Sequence, residues 1–476
     1  MLRSPSLHLL EHISSSKRLK IGIIGAAVAG PVLALHILTH PTLSKIYQPI
    51  LYDRSPDPRS SHSEDEKALQ TAGAAVAIGP NGLYPLYQLG LRDAMEKMSC
   101  DFSGGSFWRS RTPLISLKDG EDVRNAVRGE WRFLNRASSP TWSEGMQSSM
   151  RIIERRHLQS LLLEKVQKLG GEVKWESKLE NIESFPNRKP KVSFRGKGEV
   201  EFDLLVGADG SWSEIRRHIL KQRNLLTAPE RWIPDFMGAC GFYGISTLQE
   251  QDLEKFDNPD IWSDTHGVWL DQGNLSTSPL PGSKIRWDLI IPQKLAPEPS
   301  KMSQEEENTF SDHGYGGWES KIAPGAYPRS ESIEILRKHA GIFHPVTGTF
   351  GKMLSRSERI IRSPLRQGVW TKDEIQDWYT KMRPPGSGFA IEDAIVLANS
   401  LFTHPPSISS HSPSTSTTPN FIAALSSYAT TRLPRSQKMA KVAYYAGHLG
   451  VGERWYWRLL RDYGTAWMPK QEDLKL

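Results

Sequence analysis

The sequence predicts an α/β fold, and three observations predict it. A strand, a glycine-rich turn, a helix and a second strand follow one another between Ile21 and Asp53, an order that belongs to parallel sheets covered by helices. A second apolar strand, Leu204-Leu205-Val206, runs into the turn Gly207-Ala208-Asp209-Gly210. From Trp232 to about Pro292, runs bearing Trp, Tyr and Phe are separated by Gly and Pro and read as strands of a different, more antiparallel sheet. The expected architecture is a parallel-sheet unit carrying an inserted, mainly antiparallel sheet, with helices towards the C-terminal end.

Taken in order, Ile21-Gly22-Ile23-Ile24 is a short buried strand, Gly25-Ala26-Ala27-Val28-Ala29-Gly30 the turn, and Val32 to Leu38 an apolar helix. Gly25 allows the tight turn, position 27 must be small so that the backbone can approach a pyrophosphate, and Gly30 lets the helix pack closely on the strand. Ala27 stands where glycine is usual, and its methyl group pushes the phosphates outward a little. The strand Ile50-Leu51-Tyr52 ends in Asp53, about 20 residues after the glycines, the spacing of a ribose contact. An ordinary strand-to-helix turn carries similar glycines; the flanking strand, the helix and Asp53 favour a nucleotide site. Leu158 to Leu169 has helical spacing and stops at Gly170-Gly171 before the strand-like Glu172-Val173-Lys174-Trp175. Between Pro405 and Pro419, Ser, Thr and Pro dominate, which reads as a loop between two helices.

At 476 residues the chain holds two or three domain-sized cores, and 38% hydrophobic with 24% charged residues suits a globular protein. No apolar run reaches the ~20 residues of a membrane-spanning helix, and the first 20 residues do not read as a secretory signal. Cys100 and Cys240 are the only cysteines, too few for a disulfide framework, and they fit a reducing, cytoplasmic setting. No metal site is expected, since the 14 histidines form no ligand-spaced cluster. The net charge of +7 is spread along the chain, so nucleic-acid binding is not expected. The stretch Trp455-Tyr456-Trp457-Arg458-Leu459-Leu460 allows weak association with a membrane surface, but packing on the protein itself is the expectation.

The segment Asp203-Leu204-Leu205-Val206-Gly207-Ala208-Asp209-Gly210-Ser211-Trp212-Ser213-Glu214-Ile215-Arg216 resembles the FAD-dependent aromatic-ring hydroxylases, the single-component flavin monooxygenases. Arg155 resembles the family's arginine that reaches the FAD, and Gly73-Ala74-Ala75-Val76-Ala77-Ile78-Gly79-Pro80-Asn81 resembles its segment beside the flavin. Arg383-Pro384-Pro385-Gly386-Ser387-Gly388 is similar to the family's Pro-Gly-rich helix start, followed by Ile391, Ala394, Ile395 and Ala398 on one helical face. Family members carry an apolar strand and a Gly-Asp-Ala-Ala-His turn shortly before that helix. Here Thr371 to Met382 runs straight into Arg383 with neither.

The resemblance implies a Rossmann-like FAD-binding domain over 19–95, 148–222 and 384–402, a substrate domain over 96–147 and 223–370, and a C-terminal helical region over 420–476. It implies FAD held by Gly25, Ala27, Gly30, Asp53, Gly73, Ala74, Arg155, Asp209, Gly386 and Gly388. It further implies NADPH or NADH as co-substrate, and transfer of one oxygen atom from O2 to an aromatic or polyketide-like small molecule. No catalytic residue is singled out. The missing Gly-Asp turn motivates a second reading, a flavin-poor, inactive relative that keeps the fold as a binding or scaffold protein.

Overall fold

A computed structural model describes residues 18–60, 75–102, 104–111, 117–118, 121–138, 143–145, 149–183, 188–225, 232–249, 264–295, 316–368, 386–406 and 420–467. Its first layer is a four-stranded sheet whose strands all run parallel: β1 (Leu19–Ile24), β2 (Tyr47–Tyr52), β5 (Glu172–Lys174) and β6 (Leu204–Gly207), in the order β6-β1-β2-β5. β1 is central, and its residues Ile21 to Ile24 are buried, as a strand covered on both faces must be. On one face lies helix α1 (Ala29–Thr39), apolar through nearly its whole length. Helix α5 (Gly386–Thr403) packs on α1, burying Ile391, Ala394, Leu397, Ala398 and Leu401. The other face is covered by the three-stranded meander Leu179–Glu183, Lys191–Phe194, Gly198–Glu201. There Phe202 lies against Gly22, where a Cβ would come within 2.8 Å of its ring.

A small antiparallel sheet joins this unit to the next. Strand β4 (Arg151–Glu154) pairs with β3 (Ala75–Ile78) and with Ser99–Asp101. It is followed directly by helix α3 (Arg155–Lys168), and helix α2 (Pro80–Gln88) follows β3.

The largest sheet has seven strands in the order Ser357–Gln367, Asp235–Thr247, Lys284–Pro292, Asn274–Leu280, Thr265–Trp269, Gly104–Arg111 and Glu130–Ser138. All neighbours are antiparallel except Thr265–Trp269 with Gly104–Arg111. Alternate side chains of one face, among them Phe242, Trp287, Leu289 and Ile360, enter a core completed by Leu336, Phe343 and Phe350. The opposite face meets the small sheet at one end, where Ile245 and Leu280 pack on Ile152. It meets helix α6 (Ile422–Val451) at the other, where Asn274 Nδ2 donates to Gly450 O at 3.0 Å.

Helix α7 (Trp455–Ala466) meets only part of the expectation that its aromatic stretch packs inward, since Trp457 is half-buried and stacked on His448 of α6 with ring centroids 5.9 Å apart. Trp455, Leu459 and Tyr463, with Trp467 just beyond the helix, recur at every fourth position and are 68%, 48%, 63% and 84% exposed. The helix instead buries Arg461, whose guanidinium donates to the carbonyls of Leu270 at 2.7 Å, Gly273 at 3.3 Å and Gly450 at 3.4 Å. The Leu270 carbonyl, at a strand end, takes its donor from this guanidinium, as a buried carbonyl must from some group. Among the described residues no helix is long and apolar enough to cross a membrane, and no group of three or more His, Cys, Asp or Glu side chains could hold a metal ion.

Candidate cofactor and substrate site

The parallel strands end together, and three of the expected site segments meet there. Gly25 leaves β1 with φ of +110°, a region that side chains other than hydrogen avoid. A Cβ at this position would overlap the Ala208 carbonyl oxygen and lie 2.6 Å from the carbonyl carbon. Two backbone bonds fix the junction: Gly25 N donates to Tyr52 O at 2.7 Å, and Ala208 N donates to Ile24 O at 2.7 Å. At Gly30 a Cβ would overlap the Gly25 carbonyl oxygen, so helix and turn are in backbone contact. Ala27 is half-buried at the apex. Helix α1 then begins with no side chain capping its N-terminus and no acid in its first turn, leaving its positive end available to an anion. That is the local chemistry a diphosphate requires.

Asp53 lies at the same place but is engaged with the backbone. Its Oδ2 accepts from Ala26 N at 2.8 Å and its Oδ1 from Ser55 N at 2.9 Å. The carboxylate therefore braces the glycine-rich turn, and its two oxygens retain lone pairs for a further donor. Gln159, which sequence reasoning did not single out, braces the turn from α3, its Nε2 donating to Ala26 O at 3.0 Å. Its only signal was a polar residue facing an otherwise apolar helix side.

Across the strand ends, Asp209 Oδ2 accepts from Ile215 N at 3.2 Å and Ser213 Oγ accepts from Arg216 N at 3.0 Å. Both thus cap helix α4 (Glu214–Gln222). Arg216 is buried and donates to Trp232 O at 2.7 Å and to Ser211 O. Burial lowers its pKa to about 10, partly opposed by Asp209. Arg216 is thereby committed to holding the loop.

Arg155 opens α3 half-buried, and desolvation lowers its pKa below the ordinary guanidinium value. Because Ala75 pairs with Glu154, the start of β3 and the start of α3 lie side by side. Gly73 and Ala74 lie outside the described residues, as does the segment from Thr371 to Met382. Gly386 opens α5, and Gly388 touches helix α2. A Cβ on Gly82 would come within 3.1 Å of Gly388 Cα, and Asn81 Nδ2 donates to Glu392 Oε2 at 3.1 Å. The structure thus brings Gly25, Ala27, Gly30, Asp53 and Asp209 together at one end of the parallel sheet, with Arg155, Gly386 and Gly388 grouped around the small sheet and α2.

The sequence did not reveal a polar row on the seven-stranded sheet. The register places Ile361, Tyr243, Asp288, Ser276, Gly267 and Phe107 directly opposite one another, hence on one face. This row lies between the end covered by Ile152 and the end covered by α6. Tyr243, Ser276 and Phe107 remain half-buried. Asp288 is buried beside Arg286, whose Nε donates to Oδ1 at 3.1 Å. Burial raises the Asp288 pKa and Arg286 opposes the shift, while burial also pushes the Tyr243 phenol up. Hydroxyl, carboxylate and aromatic ring thus share one half-buried stretch of the sheet face. The row draws on six strands between Phe107 and Ile361, and only pairing register aligns it.

No protein-family model matches the chain. A salicylate hydroxylase of Pseudomonas putida is 29% identical over 240 residues, covering 48% of this chain and 43% of that protein. A second salicylate hydroxylase of the same species is 26% identical over 246 residues, covering 51% and 46%. The chain spans a little under half the length of these curated relatives. Among solved structures, Klebsiella pneumoniae HpxO complexed with FAD and uric acid superposes with a TM-score of 0.59 at 17% identity, covering 95% of this chain and 94% of that one. A putative FAD-containing monooxygenase from Photorhabdus luminescens gives 0.56 at 16%, covering 91% and 98%. At such identities the structures establish the fold.

Proposed function

We infer that this chain is an FAD-dependent monooxygenase of the aromatic-ring hydroxylase family, a reading supported by its salicylate hydroxylase relatives and by a fold shared with FAD-binding monooxygenases. In this reading 19–95, 148–222 and 384–402 form the FAD-binding domain. Gly25, Ala27 and Gly30 and the N-terminus of α1 hold the diphosphate. Asp53 receives the ribose, and Asp209, Arg155, Gly386 and Gly388 line the path towards the flavin ring, with Gly73 and Ala74 beside it. Bound FAD supplies the redox and oxygen chemistry, with NADPH or NADH as the reductant.

The protein's own contribution is orientation and exclusion of water. In this reading the sheet face bearing Tyr243, Asp288, Ser276 and Phe107 takes a small aromatic or polyketide-like molecule for hydroxylation or epoxidation, as in secondary metabolism. Phe107 offers a ring face, while Arg286 fixes the Asp288 carboxylate so that it can accept a hydrogen bond from a substrate hydroxyl or amine. Two cysteines without a disulfide suit a cytoplasmic enzyme.

The observation that carries the reading is the uncapped, acid-free N-terminus of α1 set against Gly25 and the Gly207–Asp209 strand end. FAD per chain, measured by absorbance of the purified protein, tests it. Near-stoichiometric flavin, followed by NAD(P)H oxidation, is expected. A colourless but folded product would overturn it and favour the binding or scaffold reading.

A further inference from the structure

Arg359 stands on the edge strand of the seven-stranded sheet, opposite Ile245, on the face that meets the small sheet. Two of its guanidinium nitrogens, Nε and Nη2, are buried without a hydrogen-bond partner among the described residues. The carboxylates nearby are engaged elsewhere. Glu154 accepts from Arg156 at 2.7 Å and stands 3.9 Å from His157. Glu358 accepts from Lys284 at 2.9 Å and from Thr247 Oγ1. The neighbourhood therefore holds three cations, Arg156, Lys284 and Arg359, against these two carboxylates. Burial lowers the Arg359 pKa to about 10, and the one charge that adds to this is a second cation, Arg156.

Two buried guanidinium nitrogens without acceptors, on a half-buried arginine, are costly unless an anion completes them. We propose that Arg359 anchors an anion-binding site at the junction of the small sheet and the seven-stranded sheet, receiving an oxyanion group of a small ligand. Two sources share that chemistry, a phosphate of a nicotinamide dinucleotide and a carboxylate of the aromatic substrate. Either matches the forked donors of arginine, and the neighbouring cation Arg156 adds to the attraction. Naming these two sources rests on the monooxygenase reading, whereas the anion site itself requires neither turnover nor bound flavin.

The test is equilibrium binding of two probes, inorganic pyrophosphate and benzoate, to the purified protein, read by thermal shift and titration calorimetry. At least one probe is expected to raise the melting temperature. In Arg359→Met its affinity should fall at least about tenfold, the loss of a charge-assisted pair, with Arg359→Lys in between. Arg359→Met alone should melt no lower than the parent, because it removes an unpaired charge. A response to pyrophosphate alone assigns the dinucleotide as source, and one to benzoate alone assigns the substrate. The proposal is overturned if neither probe binds, if both bind Arg359→Met as well as the parent, or if Arg359→Met without any ligand is strongly destabilised. FAD content is measured on the same samples, so failure here is distinguishable from failure of the monooxygenase reading.

Discussion

Replacing Gly25 by alanine tests whether the strand-end junction is as tight as its geometry implies. Two costs add. The backbone at φ of +110° is strained for any residue with a Cβ, by about 1–3 kcal/mol. The new methyl group would also overlap the Ala208 carbonyl, and relieving such overpacking costs a further ~1–3 kcal/mol. Together this is roughly 2–6 kcal/mol, a large part of the ~5–15 kcal/mol that holds a typical domain together. Gly210 provides the control. It has φ of +76° with nothing within 4 Å of a Cβ, so Gly210→Ala carries only the left-handed backbone cost of ~1–2 kcal/mol. Urea unfolding of both variants beside the parent, with FAD affinity by fluorescence quenching, gives the comparison. Gly25→Ala should lose more stability than Gly210→Ala and bind FAD more weakly. Equal urea midpoints for the two variants would refute the argument that backbone contact between residues 25 and 208 builds the site.

Two further outcomes follow from burial. In α7, Leu459→Ser on the exposed stripe should change stability by less than ~0.5 kcal/mol, whereas Arg461→Ala, which leaves the Leu270 carbonyl without its donor and takes one of two donors from the Gly273 and Gly450 carbonyls, should cost about 1–3 kcal/mol by denaturant titration. The reverse ranking would mean that α7 docks through its apolar side. His36 in α1 has its pKa lowered to about 4, chiefly by burial and secondarily by His40. A depressed histidine pKa means that the unfolded chain binds the proton first as pH falls below 6.5. Stability should therefore drop between pH 6.5 and 4, by about 3 kcal/mol from this group at 1.36 kcal/mol per unit. His344, also lowered by burial, adds to the same slope, so the readout is the difference between the parent and His36→Gln. Parallel pH profiles for the two would remove His36 from the account.

The sequence was legible where one segment carries its own complete signal. β1, the glycine turn, α1 and β2 are contiguous, and each is buried enough for its apolar run to be unambiguous. Their observed bounds differ from the expected ones mainly by extra residues at the strand starts. The stop at Gly170 was equally local, since its φ of +74° is a helix-ending conformation that glycine adopts freely. What escaped notice depends on partners far away in the chain. Nothing in Gly104–Arg111 indicates that it runs parallel to Thr265–Trp269, and nothing in Tyr243 indicates Asp288 as its neighbour. The residues of Trp455 to Leu460 marked an aromatic stretch but not the direction in which it faces, and Arg461 beside it meets the Leu270 carbonyl only in the folded chain.

The order of the parallel sheet also governs how the chain can be made. β1 lies between β2, which follows it closely, and β6, and the bond from Lys20 N to Asp203 Oδ2 spans 183 residues of sequence. Such a distant pairing raises the contact order and slows folding. Until Leu204–Gly207 has been synthesised, the strand that begins the fold keeps one bare edge, a template for mispairing with another chain. A nascent chain therefore passes through a long interval in which β1 can pair with β2 on one side while its other edge waits for a strand more than 150 residues further along the chain.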